Sequence, residues 1–208
     1  MLDPLPRGAR LLDVGAASGY LAQVLRQRGF HRIDGIECDP ALAAQGRAWY
    51  DELVVGDVAG GEWPWPDAAF DAIVCADVLE HLRDPGAVLA RVARLTRPGG
   101  TVIVSLPNVA HWSMRVGLLA GRFDYAGSGI LDRGHLRFFT RRSARTLLED
   151  AGLRIAGELA TPLPIARWCD GSRLAPVWRM VERVDAVMAA AWPALCAYQF
   201  VLAGARVG

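Results

Sequence analysis

Short apolar runs that alternate with stretches of helical spacing constrain this chain more than any other feature. The runs are Ala9 to Val14 (ARLLDV), Arg32 to Glu37 (RIDGIE), LVVGD ending at Asp57, Phe70 to Ala76 (FDAIVCA) and TVIVSLP from Thr101. Brief, nearly continuous apolar segments bounded by glycine or acidic residues suit strands buried on both faces. Between them, Tyr20 to Arg28 places Leu21, Val24 and Leu25 at helical spacing before Gly29, and Pro40 to Tyr50 and Pro85 to Leu95 (closed by RPGG) read as further helices. Strands and helices in this alternation predict an α/β, doubly wound, mostly parallel sheet with right-handed crossovers.

The pattern changes after residue 108. Residues 109–134 carry glycine, aromatic and arginine residues without a clear period and read as an inserted lid or loop. LRFFT (136–140) leads into a helix at 141–151, Leu153 to Leu159 reads as a strand, and Tyr198 to Leu202 (YQFVL) as a final strand. Residues 172–191 place Leu174, Val177, Val181, Val184 and Val187 on one helical face, expected to pack on its own domain in preference to a membrane or partner.

A chain of 208 residues, 52% hydrophobic, suffices for one sizeable core. The formal net charge of +1 gives no electrostatic mandate for nucleic acid, although the sign is uneven: residues 1–100 hold 10 Arg and 14 acidic residues. Every basic residue is Arg, and the basic second half suits an anionic substrate. Cys38, Cys75, Cys169 and Cys196 form no CxxC pair or zinc-type cluster, so reduced, buried thiols are expected. No signal peptide or long uncharged apolar stretch is present, which predicts a cytoplasmic protein without stable membrane insertion.

The stretch LLDVGAASGY (11–20) carries the first chemical signal. A strand that breaks into small residues and opens a helix presents free N–H groups at the positive end of the helix dipole, suiting an anionic or carboxylate-bearing ligand. The dinucleotide fingerprint would require glycine where Ala17 and Tyr20 stand, so a pyrophosphate would crowd those side chains. Glu37, at the end of the second strand, stands where a carboxylate accepts hydrogen bonds from both ribose hydroxyls. Asp57 ends the third strand, where it can accept from an adenine amino group, and Asp13 can face a positively charged amino group. Capping or turn-closing roles are the structural alternatives for Asp13 and Asp57.

With these residues in view, the chain resembles the class I S-adenosylmethionine-dependent methyltransferases, in the small-molecule branch called type 11 or type 23. LLDVGAASG matches the first motif, GIECDP the ribose acid, VVGD the adenine acid, FDAIVCADVLEHL the fourth strand and its exit, and LTRPGGTVIVSLPN the fifth strand. GHLRFFT and TLLEDAGL resemble the later part of the branch, so the likeness covers about residues 7–160. It implies a Rossmann-like sheet of about seven strands, with an antiparallel last strand and a helical or loop insertion after strand 5. It also implies one domain over 1–208, with a cofactor-binding half (1–108) and an acceptor-side half (109–208) carrying insertions at 109–134 and 162–192.

The implied cofactor is S-adenosyl-L-methionine, with S-adenosyl-L-homocysteine as product. By the same resemblance, Asp13, Gly15 and Gly19 frame its methionine part, Glu37 meets the ribose, Asp57 with the backbone of Val58 meets the adenine, and Ala16 and Cys38 are further cofactor-binding residues. Ala76 and Asp77 then line the site at the end of the fourth strand. Ala17 departs from the commonest glycine. The first motif also comes almost at once, so either the start is short or the later insertions provide the cover.

Methyl transfer needs an aligned acceptor and a group that takes a proton. His111 (LPNVAHW) and His135 (RGHLRFF) are the candidate bases at the carboxyl edge of the sheet, with Asp132 behind them. Both histidines have structural alternatives. Glu80 and His81 are expected to cap or pack within the helix after the fourth strand. Acidic ligands for a metal-dependent, catechol-type site cannot be assembled, so no metal is expected.

The acceptor is expected to be a small molecule, glycan or lipid, methylated on a hydroxyl or amine. Trp112, Phe123, Tyr125, Phe138 and Phe139 offer flat contacts, and Arg115, Arg122, Arg133 and Arg137 can meet a phosphate or carboxylate. CADVLEHL lacks the acidic-proline-aromatic tetrad of base-amine methyltransferases, so no nucleic-acid partner is expected; self-association as a homodimer stays open. Two competing readings remain: a catalytically silent S-adenosylmethionine-binding module, and an NAD(P)-dependent oxidoreductase, against which the glycine spacing argues.

Overall fold

A computed structural model describes residues 1–2, 5–163 and 175–207. Cys169 and Leu174 lie outside the described residues. The strands are β1 (Arg10–Val14), β2 (Arg32–Glu37), β3 (Glu52–Val55), β4 (Phe70–Ala76), β5 (Thr96–Pro107), β6 (Leu153–Thr161) and β7 (Gln199–Arg206). They form one seven-stranded sheet in the order β3-β2-β1-β4-β5-β7-β6. The β1–β2, β2–β3, β1–β4 and β4–β5 pairs are parallel, while β7 runs antiparallel to β5 and β6. The helices are α1 (Tyr20–Gln27), α2 (Pro40–Gly46), α3 (Pro85–Leu95), α4 (Trp112–Leu119), α5 (Arg141–Asp150), α6 (Ala175–Ala191) and α7 (Pro193–Cys196).

The expected doubly wound sheet with an antiparallel last strand is therefore present. Alternation along β1 shows why it is buried on both faces: Leu12 and Val14 join the larger core cluster, whereas Leu11 joins the smaller one with Leu25, Phe30 and Ile33. Asp13 has the parity of Leu11 and meets Tyr50 of that smaller cluster. Strand order reverses at β1, which has β2 on one side and β4 on the other. A crevice at the carboxyl ends of the strands follows from that reversal.

Several expectations are corrected. The helix expected over Pro40 to Tyr50 stops at Gly46 and continues as a 3₁₀ turn, Arg47–Trp49. A Cβ at Gly46 would come within 3.0 Å of the Gly19 nitrogen, so the backbone of α2 presses against the first turn. RPGG, read as the end of a helix, lies within β5. The insertion contains α4, which buries none of its residues and so lacks the apolar stripe by which periodicity reveals a helix.

Packing of the last long helix also differs from expectation. Val177, Val181, Val184 and Val187 are all exposed, so this stripe does not pack on its own domain. Cys75 and Cys196 are buried free thiols, but Cys38 is exposed because it follows the last residue of β2 at the sheet edge. Among the described residues, no helix is long and apolar enough to cross a membrane.

Candidate active site

Four parallel strands end on one edge, and their exits bring Gly15, Glu37, Asp57 and Ala76 to it. The turn after β1 is held open by left-handed backbone at Gly15 (φ 76), Ala17 (φ 45) and Gly19 (φ 85). Gly19 is also the N-cap of α1 and provides no side-chain cap, which leaves the first N–H groups of that helix available to a ligand. Ala17 occupies the conformation in which glycine costs nothing, the physical meaning of the departure noted in the sequence. Ala16 is buried beneath the turn.

Glu37 bridges this turn and the next one. One carboxylate oxygen accepts from Ala17 N–H at 2.8 Å and the other from Asp39 N–H at 2.8 Å, with the Cys38 thiol at 3.3 Å. Asp57 is exposed and its Oδ1 accepts from Ala59 N–H at 2.8 Å, the turn-closing arrangement weighed in the sequence; Val58 beside it is buried. Ala76 and Asp77 are exposed at the end of β4. Asp77 takes a left-handed φ of 54°, its Oδ1 accepts from Ser105 Oγ at 2.8 Å, and Gln199 Nε2 donates to the same oxygen.

Asp13 is buried beneath the turn and accepts from the Tyr50 hydroxyl at 2.7 Å. Burial raises its pKa from 3.8 to about 6; the Tyr50 hydrogen bond opposes this and the Glu37 charge adds to it. A carboxyl with a raised folded-state pKa binds more protons folded than unfolded. Its contribution is therefore greatest in acid and is lost as pH rises through about 6. The stability difference between wild type and Asp13→Asn is expected to fall by up to about 3 kcal/mol between about pH 4 and about pH 7. Urea unfolding of both proteins at several pH values checks this, and a flat difference would contradict the buried carboxyl. Tyr50 carried no sequence signal, because only α2 and its 3₁₀ extension bring it onto β1.

The two candidate bases occupy different environments. His111 is wholly buried and caps α4: its Nδ1 lies 2.7 Å from Ser113 Oγ, and Nε2 has no hydrogen-bond partner among the described residues. Burial lowers its pKa. His135 instead lines a cavity of about 400 Å³ together with Asp77, Glu80, His81, Asp132 and Tyr198.

Glu80 and His81 lie on a single 3₁₀ turn, Leu79–His81, rather than within a longer helix. Glu80 is 1% exposed, neither carboxylate oxygen has a hydrogen-bond partner among the described residues, and burial pushes its pKa up to about 8. His135 Nε2 is 4.0 Å from Glu80 Oε1, and the His81 and His135 rings meet edge to face at 4.8 Å. The adjacency of Glu80 and His81 at a strand exit was the available sequence signal. Their meeting with His135 required the fold.

Most acceptor-side residues singled out in the sequence have partners within the chain. Arg115 donates to Ala110 O, Arg137 to Arg83 O, and Arg122 pairs with Asp124. Phe123, Tyr125 and Phe138 stack with one another, Phe139 is buried, and Trp112 is exposed.

Comparison with known proteins places this edge in context. The family described as "Methyltransferase domain" matches residues 1–157. A Mycolicibacterium smegmatis protein named "Probable S-adenosylmethionine-dependent methyltransferase" is 31% identical over 152 residues, covering 73% of this chain and 54% of that protein. A "Ubiquinone biosynthesis O-methyltransferase" of Alkalilimnicola ehrlichii is 34% identical over 110 residues, covering 49% of this chain and 42% of that protein. The chain thus spans about half the length of these curated relatives. A solved S-adenosylmethionine-dependent methyltransferase from Archaeoglobus fulgidus shares the fold at a TM-score of 0.66 and 13% identity, covering 96% of this chain and 86% of that one. The chain therefore belongs to the methyltransferase-domain family and shares its fold with solved methyltransferases.

Proposed function

We propose that this chain transfers a methyl group from S-adenosylmethionine to a hydroxyl oxygen of a small-molecule acceptor, within a range that includes glycan- and lipid-type molecules. One observation carries the reading: the acid-bearing exits of β1 to β3 and a cavity lined by three carboxyls and two imidazoles share one sheet edge. The relatives named as ubiquinone biosynthesis O-methyltransferases favour a hydroxyl over an amine.

The residues fit the cofactor. Glu37 stands at the end of β2, fixed by one N–H donor to each oxygen, and the acceptor capacity its carboxylate retains can serve ribose hydroxyls. Asp57 and the Val58 N–H are assigned to the adenine. Gly15, Ala16 and Gly19 are assigned to the methionine carboxylate, and Asp13 to its ammonium. Cys38, Ala76 and Asp77 border the same edge. The bound cofactor supplies a methyl group already activated by a positively charged sulfur. The chain must therefore align the acceptor and draw off or polarise its hydroxyl proton, a role assigned to the Glu80, His81 and His135 cluster. This division makes residues 1–108 the cofactor half and 109–208 the acceptor half.

Thermal unfolding with S-adenosylhomocysteine, and separately with NAD, tests the pocket. At about a thousand times the dissociation constant, the homocysteine compound should add roughly 4 kcal/mol of stability. NAD should add none, and a shift with NAD alone would overturn the reading. Radiolabelled methyl transfer to phenolic and amine acceptors then separates an enzyme from a silent binding module, which would bind the cofactor and turn over no acceptor.

A further inference from the structure

We propose that Glu80, His81 and His135 form a binding site for one divalent transition-metal cation, open toward the acceptor cavity. Their ligand atoms all lie within 4.8 Å of one another. Ligands held at roughly 2.0–2.2 Å by a tetrahedral ion stand about 3.4 Å apart, so the widest pair needs to draw in by about 1.4 Å.

Protonation of the two rings follows from their partners. His81 Nδ1 is 3.0 Å from Gly134 O, and His135 Nδ1 is 3.0 Å from Ile130 O. A carbonyl oxygen only accepts, so each Nδ1 carries the hydrogen, and in the neutral ring Nε2 holds the lone pair. A backbone carbonyl behind Nδ1 is the outer-shell arrangement that orients metal-bound histidines. The His135 Nε2 to Glu80 Oε1 separation of 4.0 Å is too long for a hydrogen bond.

Glu80 supplies the independent observation. Its carboxylate is buried beside these rings, and neither oxygen has a hydrogen-bond partner among the described residues. A buried acceptor left without a donor is costly, and a cation satisfies it together with the two imidazoles. The neighbouring guanidinium does not serve this purpose, since Arg137 is bonded to Arg83 O. The backbone carbonyl of Glu80 accepts from Leu136 N–H at 2.8 Å and Arg137 N–H at 3.0 Å, which fastens the turn bearing Glu80 and His81 to the segment bearing His135. The ligand set is therefore held by the fold before any ion arrives.

Donor chemistry selects the ion. Two imidazoles and one carboxylate favour the manganese-to-zinc series over magnesium or calcium, which prefer all-oxygen shells. Three protein ligands leave coordination positions open, the pattern of catalytic rather than structural sites. Asp77 and Asp132 border the cavity but are engaged with Ser105 and with Gly134 N–H. An acceptor hydroxyl entering an open position would lose its proton more readily; that role, unlike the binding itself, rests on the methyl-transfer reading.

The test uses the whole chain, stripped with a chelator and titrated with Co²⁺ under visible absorption, with Zn²⁺ as competitor. One equivalent of Co²⁺ should develop ligand-field bands that Zn²⁺ abolishes. Loss of an outer-shell partner alone weakens metal sites about 10–100-fold, so His81→Ala, at an exposed ring, should weaken binding by more than that. Glu80→Gln should do the same, and His31→Ala, outside the cluster, should leave binding unchanged. Absence of Co²⁺ bands, or bands that survive His81→Ala and Glu80→Gln, would overturn the site. S-adenosylhomocysteine stabilisation is read on the same samples. Stabilisation without Co²⁺ binding sinks the metal site alone, and Co²⁺ binding without stabilisation sinks the cofactor reading alone.

Discussion

Glu37→Ala is expected to weaken S-adenosylhomocysteine binding by about 100-fold or more, since hydrogen bonds to a charged group contribute roughly 1.5–3 kcal/mol each. Two such bonds to the ribose depend on this carboxylate in the proposed complex. The fold should survive. The two N–H groups that lose their acceptor belong to Ala17 and Asp39, both exposed, so water can replace the carboxylate. Glu37→Gln keeps the shape and one acceptor oxygen and should fall between the two. Calorimetry reads the affinity and thermal unfolding reads the fold. Unchanged affinity in Glu37→Ala would remove the ribose assignment.

Gly15→Ala should have the largest effect on stability, with unfolding free energy reduced by about 2–4 kcal/mol through two separable causes. A Cβ there would collide with Val78 Cγ2, and the residue holds a φ of 76°. The valine methyl is carried on a short, branched side chain with one χ angle, so it has little freedom to withdraw. Adding Val78→Ala to Gly15→Ala should recover the steric part and leave about 1–2 kcal/mol of backbone strain. Urea unfolding of the four proteins in the cycle measures the coupling. An additive cycle would mean that contact with Val78 is not the cause. The result bears on the proposed function because Val78 follows Asp77 at the exit of β4, so this close approach joins the turn after β1 to the rim of the cavity lined by Asp77 and Glu80.

Much of this arrangement was legible in advance, and the reason is local. Strands buried on both faces must be nearly all apolar, so β1, β2, β4 and the second half of β5 announced themselves. Glycine and acidic residues at their ends marked the exits where a doubly wound sheet binds ligands. Asp13, Gly15, Glu37 and Asp57 could therefore be picked out by spacing. Features that carry no buried stripe stayed hidden: α4 buries nothing, and the valines of α6 face outward although their spacing suggested a packed helix.

The chemistry of single side chains depended on contacts distant in sequence. His111 and His135 looked equivalent as candidate bases, yet one caps a helix and the other enters the cavity. Asp13 acquired its raised pKa from burial in the folded chain, opposed by the hydrogen bond from Tyr50, 37 residues away. The sequence by itself determined the sheet, its binding edge and the acids along it, because periodicity and strand termination are properties of neighbouring residues. Only the tertiary structure decided that Glu80, His81 and His135 converge. The loop after β5 has to fold back over the exit of β4 before a buried carboxylate and two imidazole lone pairs can share one space.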